Sequence, residues 1–545
     1  MKPIHHASAA VFALASMLLT SCGGGDGGNT SAASLPAQPV PAEIASILQK
    51  PVYRDARWAL RVVDLDTGRV IHDLGAGQQM LIGSVRKLFS VGLALEALGP
   101  EHVFRTPVYR RGAIDGAGVL QGDLVVVASG DLAMGGRTNP DGSFALPDED
   151  HNEANALGNA TLPAPDPLAG FDRLAAQVAA SGIRQIAGEV IVDDRLFEHF
   201  DFRGEFKAGP MFVNDDVVDV VIGKDASVDW RAKSQAFSVQ SGLAVGAPGS
   251  ALDISLEPEL PSCLGSAQCH GRVAGTLPSD FVPPFTGRFP LVRTFRIVDP
   301  STYARTVLIE ALARAGVTTS APAVALNPSR RLPSLAAGSP YAPETRVAEL
   351  ASHPYKDFAR YVLKVSYNLG ADASLVLFGL TRGASSLAAS QVAEAAVLAD
   401  QFRIAPETMH FVDGSGGGLT TATNEAVTSL LAGMRRRPSY PQFRDALPQL
   451  GIDGSLGFVN DFAADPALAG ARGQVHAKTG TFVSGSDKGP VLRAQALAGY
   501  IDTKNGRHLA FTLAVNDVGV ISSVDDIPPV FQDFGTISAW LWKLY

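Results

Sequence analysis

The sequence predicts an α+β chain of several domains: an antiparallel sheet flanked by helices, interrupted by a large, mostly β insertion. Paired strand signals at the two ends predict the sheet. Trp58 to Leu65 and Arg69 to Leu74 flank Asp66-Thr67-Gly68, while Gln495 to Asp502 and Arg507 to Asn516 flank Asn505-Gly506, a strong hairpin signal. Helical spacing predicts the layer beside it. Val85, Leu88, Phe89, Leu93, Leu95 and Leu98 share one apolar side, and Gly99-Pro100 stops the run. The insertion is predicted by distance, because Ser84 and Ser366, which share a chemical logic developed below, are 282 positions apart. With 545 residues the chain can bury a large core in several domains.

The amino end opens Met1-Lys2 and continues through an apolar stretch, Ala7 to Leu19, to Leu19-Thr20-Ser21-Cys22. Residues 1–21 read as a secretory signal whose end resembles a bacterial lipobox, with Cys22 as the lipidated first residue of the mature chain. An ordinary cleaved signal with an incidental Cys22 is the alternative. A Gly-, Ser-, Ala- and Pro-rich stretch completes residues 22–42 as a flexible tether. The expected location is the periplasm, with the chain lipid-anchored to the bacterial envelope at its outer membrane. No other run is long enough to span a bilayer.

One folded domain is expected from residues 43–100 together with 328–545, and the insertion from residues 101–327. Leu120 to Ala128, Gln185 to Asp193 and Val217 to Ile222 read as strands of the insertion, and Phe171 to Ser181 and Ser301 to Gly316 as helices. Pro140 to Pro167, carrying Asp148, Glu149, Asp150, His151 and Glu153, reads as an extended surface loop. A solvated charge run is its ordinary meaning, and a calcium-like ion the alternative. Cys263 and Cys269 lie close together in a Pro-, Gly- and Ser-rich context, and an oxidising compartment favours a disulfide between them. His270 raises the rival of zinc, but two cysteines and one histidine are too few for a closed site. No metal and no cofactor are expected.

Past the insertion, Asp357 to Lys364 and Ala371 to Leu380 have helical spacing, which puts Ser366-Tyr367-Asn368 at a helix junction. Asp413 to Gly418 is glycine-rich, yet no Gly-Lys-Ser or Gly-Lys-Thr follows, which argues against a phosphate loop; Asp413 reads as the brace of a turn. Phe534 to Leu544 is a final amphipathic helix. Charged residues make up 18% of the chain and the net charge is −9, so nucleic acid is a disfavoured partner.

Three short motifs then carry the chemistry. Ser84-Val85-Arg86-Lys87 places a hydroxyl and an amine three residues apart, on one face of a helix. Serine is a poor nucleophile at neutral pH, and an unprotonated lysine beside it supplies the missing base. Keeping that amine neutral requires desolvation or a nearby cation, for which Lys478 of Lys478-Thr479-Gly480-Thr481 is the candidate. The third motif leads into the carboxy-terminal hairpin, where extended backbone can present N–H groups to an oxyanion; the amides of Ser84 and Thr481 are the candidates. The set Ser-x-x-Lys, Ser-x-Asn and Lys-Thr-Gly is known from penicillin-binding proteins and class A β-lactamases.

Together with Gly122-Asp123-Leu124, Ser129-Gly130-Asp131, Gly188 to Asp194, Val213 to Asp216, Asp413 to Gly416 and Gly451 to Leu456, these motifs give the chain a closer likeness. It resembles the class C low-molecular-mass penicillin-binding proteins, the serine-type D-alanyl-D-alanine carboxypeptidases and endopeptidases, from about Glu43 to the carboxyl end. The resemblance implies a serine β-lactamase/DD-peptidase-like catalytic domain and two nested accessory domains. It implies Ser84 as acylated nucleophile, Lys87 as base, Ser366 as proton relay and Asn368 as holder of the substrate amide. Lys478, Thr479 and Thr481 would bind the terminal carboxylate, with Gly480 between them, which suits an ammonium flanked by two hydroxyls. Peptidoglycan peptides are the implied substrates and β-lactams the implied covalent inhibitors.

The chain departs from the family pattern in three places. Ile82-Gly83 replaces Pro-Ala before the nucleophile, Tyr367 fills the variable place of Ser-x-Asn, and Val483 to Pro490 reads as a lengthened strand-exit loop beside the cleft. A β-lactamase or esterase with the same pair, and a catalytically silent wall-binding lipoprotein, are the alternatives. The domain-sized insertion argues against the first, and the intact Ser84, Lys87, Asn368 and Lys478 against the second.

Overall fold

The structure is a computed structural model that describes residues 37–545 apart from 285, 336–339, 488 and 522–525. The expected signal, Cys22 and the tether as far as residue 36 lie outside the described residues. Five strands, β1 (Arg57–Asp64), β2 (Val70–Leu74), β3 (Val475–Ser486), β4 (Gly489–Asp502) and β5 (His508–Val520), form one sheet in the order β2-β1-β5-β4-β3. Every neighbouring pair is antiparallel, with Leu60 opposite Leu513, Leu513 opposite Leu497, and Leu497 opposite Thr479. The two ends of the chain meet as their hairpin signals predict. Strand β3 continues through Val483 to Ser486 and β4 begins at Gly489, with Val483 opposite Leu492 and Ser486 opposite Gly489. That stretch is therefore a long hairpin arm and not a loop: its Ser and Gly residues mimic turn chemistry, but their backbones pair across the hairpin.

Period-2 alternation decides which layer covers each face of the sheet. Ala59, Ala496, Ala498, Ala510 and Ala514 face one way, into a core shared with α1 (Lys87–Leu98), α2 (Tyr355–Val365), α3 (Asn368–Leu380) and α4 (Leu387–Phe402). Leu60, Val62, Leu497, Leu509, Phe511 and Leu513 face the other, onto Phe534, Ile537 and Leu541 of α5 (Pro528–Leu544). The small side chains are on the α1 side. They let the helix that carries the first motif lie close to the strand that carries the third.

The insertion begins directly after α1. Its largest sheet joins Val103–Ile114, Val119–Val127, Gln185–Ile186, Thr318–Thr319 and Arg346–Pro354, with Val190–Asp193 parallel to Val119–Val127. Entry and exit strands are antiparallel neighbours, because Arg346–Pro354 pairs with Val103–Ile114. The sequence-based division at 327/328 thus runs between two strands of this sheet. Only Ala348 and Leu350 of Arg346–Pro354 are fully buried, so its alternation is weak in the sequence. Two smaller sheets follow, one of Val217–Ile222, Val228–Arg231 and Leu291–Arg296, the other of Ser238–Gly246, Asp253–Glu257 and His270–Pro278. Cys263 and Cys269 are disulfide-bonded beside the latter.

The acidic segment is not a solvated loop. Asp150, His151 and Asn152 are buried, and His151 bonds Asp219 through Nδ1 and Asp215 through Nε2, each at 2.6 Å. Arg137 pairs with Asp215, and Arg231 Nε donates to Asp219 at 3.1 Å. Burial alone would push the His151 imidazole down, but Asp219 and Asp215 outweigh it and hold it up at about 9. His151, Asp215 and Asp219 go inside because each has an opposite partner there, whereas Asp150 has no ion-pair partner among the described residues and is pushed up to about 7, chiefly by burial. Among the described residues no cluster of His, Cys, Asp and Glu is arranged to hold a metal ion.

Candidate active site

Ser84 lies in a 3₁₀ turn, Gly83–Arg86, that runs straight into α1, so Lys87 is the first residue of the helix. Three residues of right-handed turn bring Lys87 Nζ within 2.7 Å of Ser84 Oγ. The amine also meets Asn368 Oδ1 at 2.7 Å and the Ser415 carbonyl at 2.8 Å. Its side chain is fully buried. Burial is the main cause that brings Lys87 down to about 7, and Arg203 adds to it; Asp413, Asp372 and Glu153 pull the other way. A lysine in that state is half neutral near pH 7 and can accept a proton from the hydroxyl beside it.

The neighbouring cation is thus Arg203, not the Lys478 that the sequence suggested. Lys478 is itself wholly buried, donates to the carbonyl of Thr479 at 2.9 Å, and is pushed well below its ordinary range by burial and by Lys87. A charge on Lys87 thus makes a second charge on the buried Lys478 costly. An incoming carboxylate would relieve that cost.

Strand β3 is the edge of its sheet, and β4 hydrogen-bonds one side of it only. Its free side approaches the nucleophile turn so closely that a Cβ on Gly480 would fall 2.0 Å from the Ile82 carbonyl oxygen. Gly83, at φ 47°, faces the backbone of Thr481 in the same manner: a Cβ there would lie 3.0 Å from the Thr481 nitrogen. Glycine at both places lets the backbone of the nucleophile turn and that of β3 approach this closely. The approach suits glycine at position 83, where φ is positive and an alanine methyl would need the Thr481 backbone to shift; nothing in the structure explains Ile82. Thr479 Oγ1 lies 2.7 Å from Ser455 Oγ, and Thr481 Oγ1 donates to Gln495 Oε1 at 2.9 Å.

Ser366-Tyr367-Asn368 does lie at a helix junction. Ser366 ends α2 in the left-handed region at φ 66°, Tyr367 is the N-cap of α3, and Asn368 begins it. This reversal turns Asn368 back toward Lys87. No hydrogen bond joins Ser366 to Ser84 or Lys87 among the described residues, so the contacts that join Ser84, Lys87 and Asn368 do not include it.

Several supports escaped the sequence reading. The Arg86 guanidinium forms a fully buried two-pronged pair with Glu394 at 2.7 and 2.6 Å and donates to the Asp413 carbonyl at 2.8 Å. The Asp413 carboxylate accepts the N–H groups of Ser415, Gly416 and Gly417, bracing the turn as expected. Asp372 accepts from the Gly414 N–H at 2.8 Å, and burial followed by the neighbouring Asp413 pushes it up to about 7. Asp372 had a readable signal: it is four residues after Asn368, on the same helical face. Glu394, Glu153 and Arg203 had none.

A sequence model of the D-Ala-D-Ala carboxypeptidase 3 (S13) family matches residues 40–209 and 270–527. The chain belongs to that family. It is accordingly a serine hydrolase of the D-alanyl-D-alanine carboxypeptidase class. A D-alanyl-D-alanine carboxypeptidase of an Actinomadura species is 28% identical over 508 residues, covering 87% of this chain and 80% of that protein. Penicillin-binding protein 4 of Haemophilus influenzae shares the fold, with a TM-score of 0.65 and 19% identity over 92% of this chain and 99% of that one. The same protein complexed with a β-lactam matches with a TM-score of 0.62 and 18% identity, again over 92% and 99%.

Proposed function

We propose that this chain removes D-alanine from peptidoglycan stem peptides, or opens their D-alanyl cross-links, through an acyl-enzyme on Ser84, and that β-lactams acylate the same oxygen. The observation that carries this reading is the 2.7 Å approach of Ser84 Oγ and a buried Lys87 amine brought down to about 7. Neutral Lys87 takes the hydroxyl proton as Oγ attacks the scissile carbonyl, and the N–H groups of Ser84 and Thr481 receive the oxyanion. The proton then passes to the departing amine, with Ser366 as relay once substrate fills the cleft, and the acyl group stays on Oγ. Asn368 holds the substrate amide. Lys478, Thr479 and Thr481 take the terminal carboxylate, which supplies the anion that the two crowded lysines lack. Water, deprotonated by the same amine, releases the acyl group. The family match and the fold shared with a penicillin-binding protein support this assignment of roles.

The test joins fluorescent-penicillin labelling with product analysis on purified muropeptides. Stable labelling and loss of terminal D-alanine are expected, both abolished in Ser84→Ala. Rapid turnover of the antibiotic without peptide cleavage would make the protein a β-lactamase. Absence of both activities would leave it a silent member of the fold.

A further inference from the structure

The insertion reaches the catalytic amine. Asn368, whose Oδ1 faces Lys87, donates its Nδ2 to Glu153 Oε1 at 2.8 Å, and Arg203 Nη1 donates to the same oxygen at 2.9 Å. A four-membered polar chain thus runs from Lys87 through Asn368 and Glu153 to Arg203, and its last two members come from the insertion. We propose that Glu153 and Arg203 are positioning residues for acylation: Glu153 fixes the orientation of the Asn368 amide, and Arg203 fixes Glu153 and sets a permanent cation beside Lys87. The inference rests on the Ser84 acyl-enzyme reading and assigns that site a second wall.

Both residues are held in place by the structure around them. Glu153 ends the short 3₁₀ turn His151–Glu153, which Asp150 caps through the Asn152 N–H at 2.9 Å and which the buried pairs of His151 with Asp215 and Asp219 pin down. Arg203 forms the tip of a two-stranded hairpin, Phe200–Phe202 with Phe206–Ala208, where Arg203 and Gly204 have φ 56° and 76°. Two successive left-handed residues make the tight turn of such a hairpin. An arginine is a costly choice for the first of them, since side chains rarely adopt that conformation. Phe200, Phe202 and Phe206 enter the same core as α1, α2 and α3, so the hairpin is packed against the helices that carry the site. The Arg203 and Glu153 side chains are 33% and 14% exposed, which places the pair at the rim of the cleft and not deep within it.

The charged and polar groups facing Lys87 are Ser84 from the turn, Asn368 and Asp372 from α3, Asp413 and the Ser415 carbonyl from the glycine-rich turn, Lys478 from β3, and Glu153 and Arg203 from the insertion. Arg203 lowers the amine and Glu153 raises it. Removing each should therefore move the acid limb of the acylation rate in opposite directions, which loss of packing alone would not do.

The rate of fluorescent-penicillin acylation, followed against pH in the full-length protein, tests this. In Arg203→Gln the acid limb is expected to move up by about half to one pH unit, with a roughly two- to fivefold loss of rate at pH 7. Arg203→Lys, which keeps the charge, should restore most of the rate. Glu153→Gln, which keeps an acceptor for Asn368, should move the limb down. Limbs coincident with wild type in both Arg203→Gln and Glu153→Gln overturn the inference while leaving the acyl-enzyme intact. A wild-type protein that is not labelled at Ser84 sinks the functional reading, and this inference with it. If Arg203→Gln does not fold, the direction of the Glu153→Gln shift decides alone.

Discussion

The two walls of the cleft are assembled over different lengths of chain. On the helical wall Ser84 and Lys87 meet across one turn, and Gly480 needs only a missing side chain to bring β3 against that turn. On the insertion wall Glu153 meets an asparagine 215 positions away, and it does so because a buried histidine, three aspartates and two arginines hold its segment in place. The difference shows which contacts a chain can build cheaply. Local geometry costs little ordering entropy, whereas the distant wall must order whole segments and satisfies their polar groups with ion pairs. The helical wall carries the bond-making atoms, and the insertion wall adjusts them.

The largest expected effect removes the buried pair behind the helical wall. Arg86 and Glu394 are 0% and 2% exposed, so Glu394→Ala would leave a guanidinium in the core without its carboxylate. Breaking such a pair costs about 3–5 kcal/mol, which denaturant unfolding would register. A loss below about 1 kcal/mol would mean that water reaches Arg86 and that this wall is less rigid than the comparison holds. Next comes Gly480→Ala. Its methyl must displace either β3 or the Ile82 carbonyl, and a displacement of about 1 Å at reacting groups costs on the order of a hundredfold in rate. Penicillin acylation should fall by about that factor while stability drops by about 1–3 kcal/mol, the ordinary cost of overpacking. Unchanged acylation would show that the close approach is not needed for the oxyanion site.

Sequence legibility divides along the same line. The strands β1, β2, β4 and β5, helix α1, the α2–α3 junction and the Ser84–Lys87 contact were all readable, because each rests on spacing within a few residues. Extended backbone at Thr479, Gly480 and Thr481, leading into the carboxy-terminal hairpin, is legible for the same reason; its edge position is not. The reading erred where a distant partner decides the outcome. Asp148 to Glu153 looks like a solvated charge run until Asp215 and Asp219 are seen to receive His151. Lys478 looks like the cation that tunes Lys87 until burial is seen to act on both lysines, with Arg203 at the tip of a remote hairpin. The strand Arg346–Pro354 lies beyond the expected 327/328 division yet pairs with Val103–Ile114, a partner that its own weak alternation does not reveal.

The smallest effect tests how far into the insertion the coupling extends. Residues 210–269, which the family model leaves unmatched, include both the Asp215–Asp219 anchor of the Glu153 segment and the Cys263–Cys269 loop. If the insertion acts on the site only through its anchored segment and hairpin, the disulfide should be uncoupled from chemistry. Closing a loop this short contributes about 2 kcal/mol by chain entropy, so a Cys263→Ser, Cys269→Ser double variant should unfold somewhat more easily. Its acylation rate and pH limb should match the wild type. A shifted limb would show that order in the outer sheet is transmitted to Arg203 or Glu153, and the insertion wall would then have to be treated as one unit from the disulfide to the cleft.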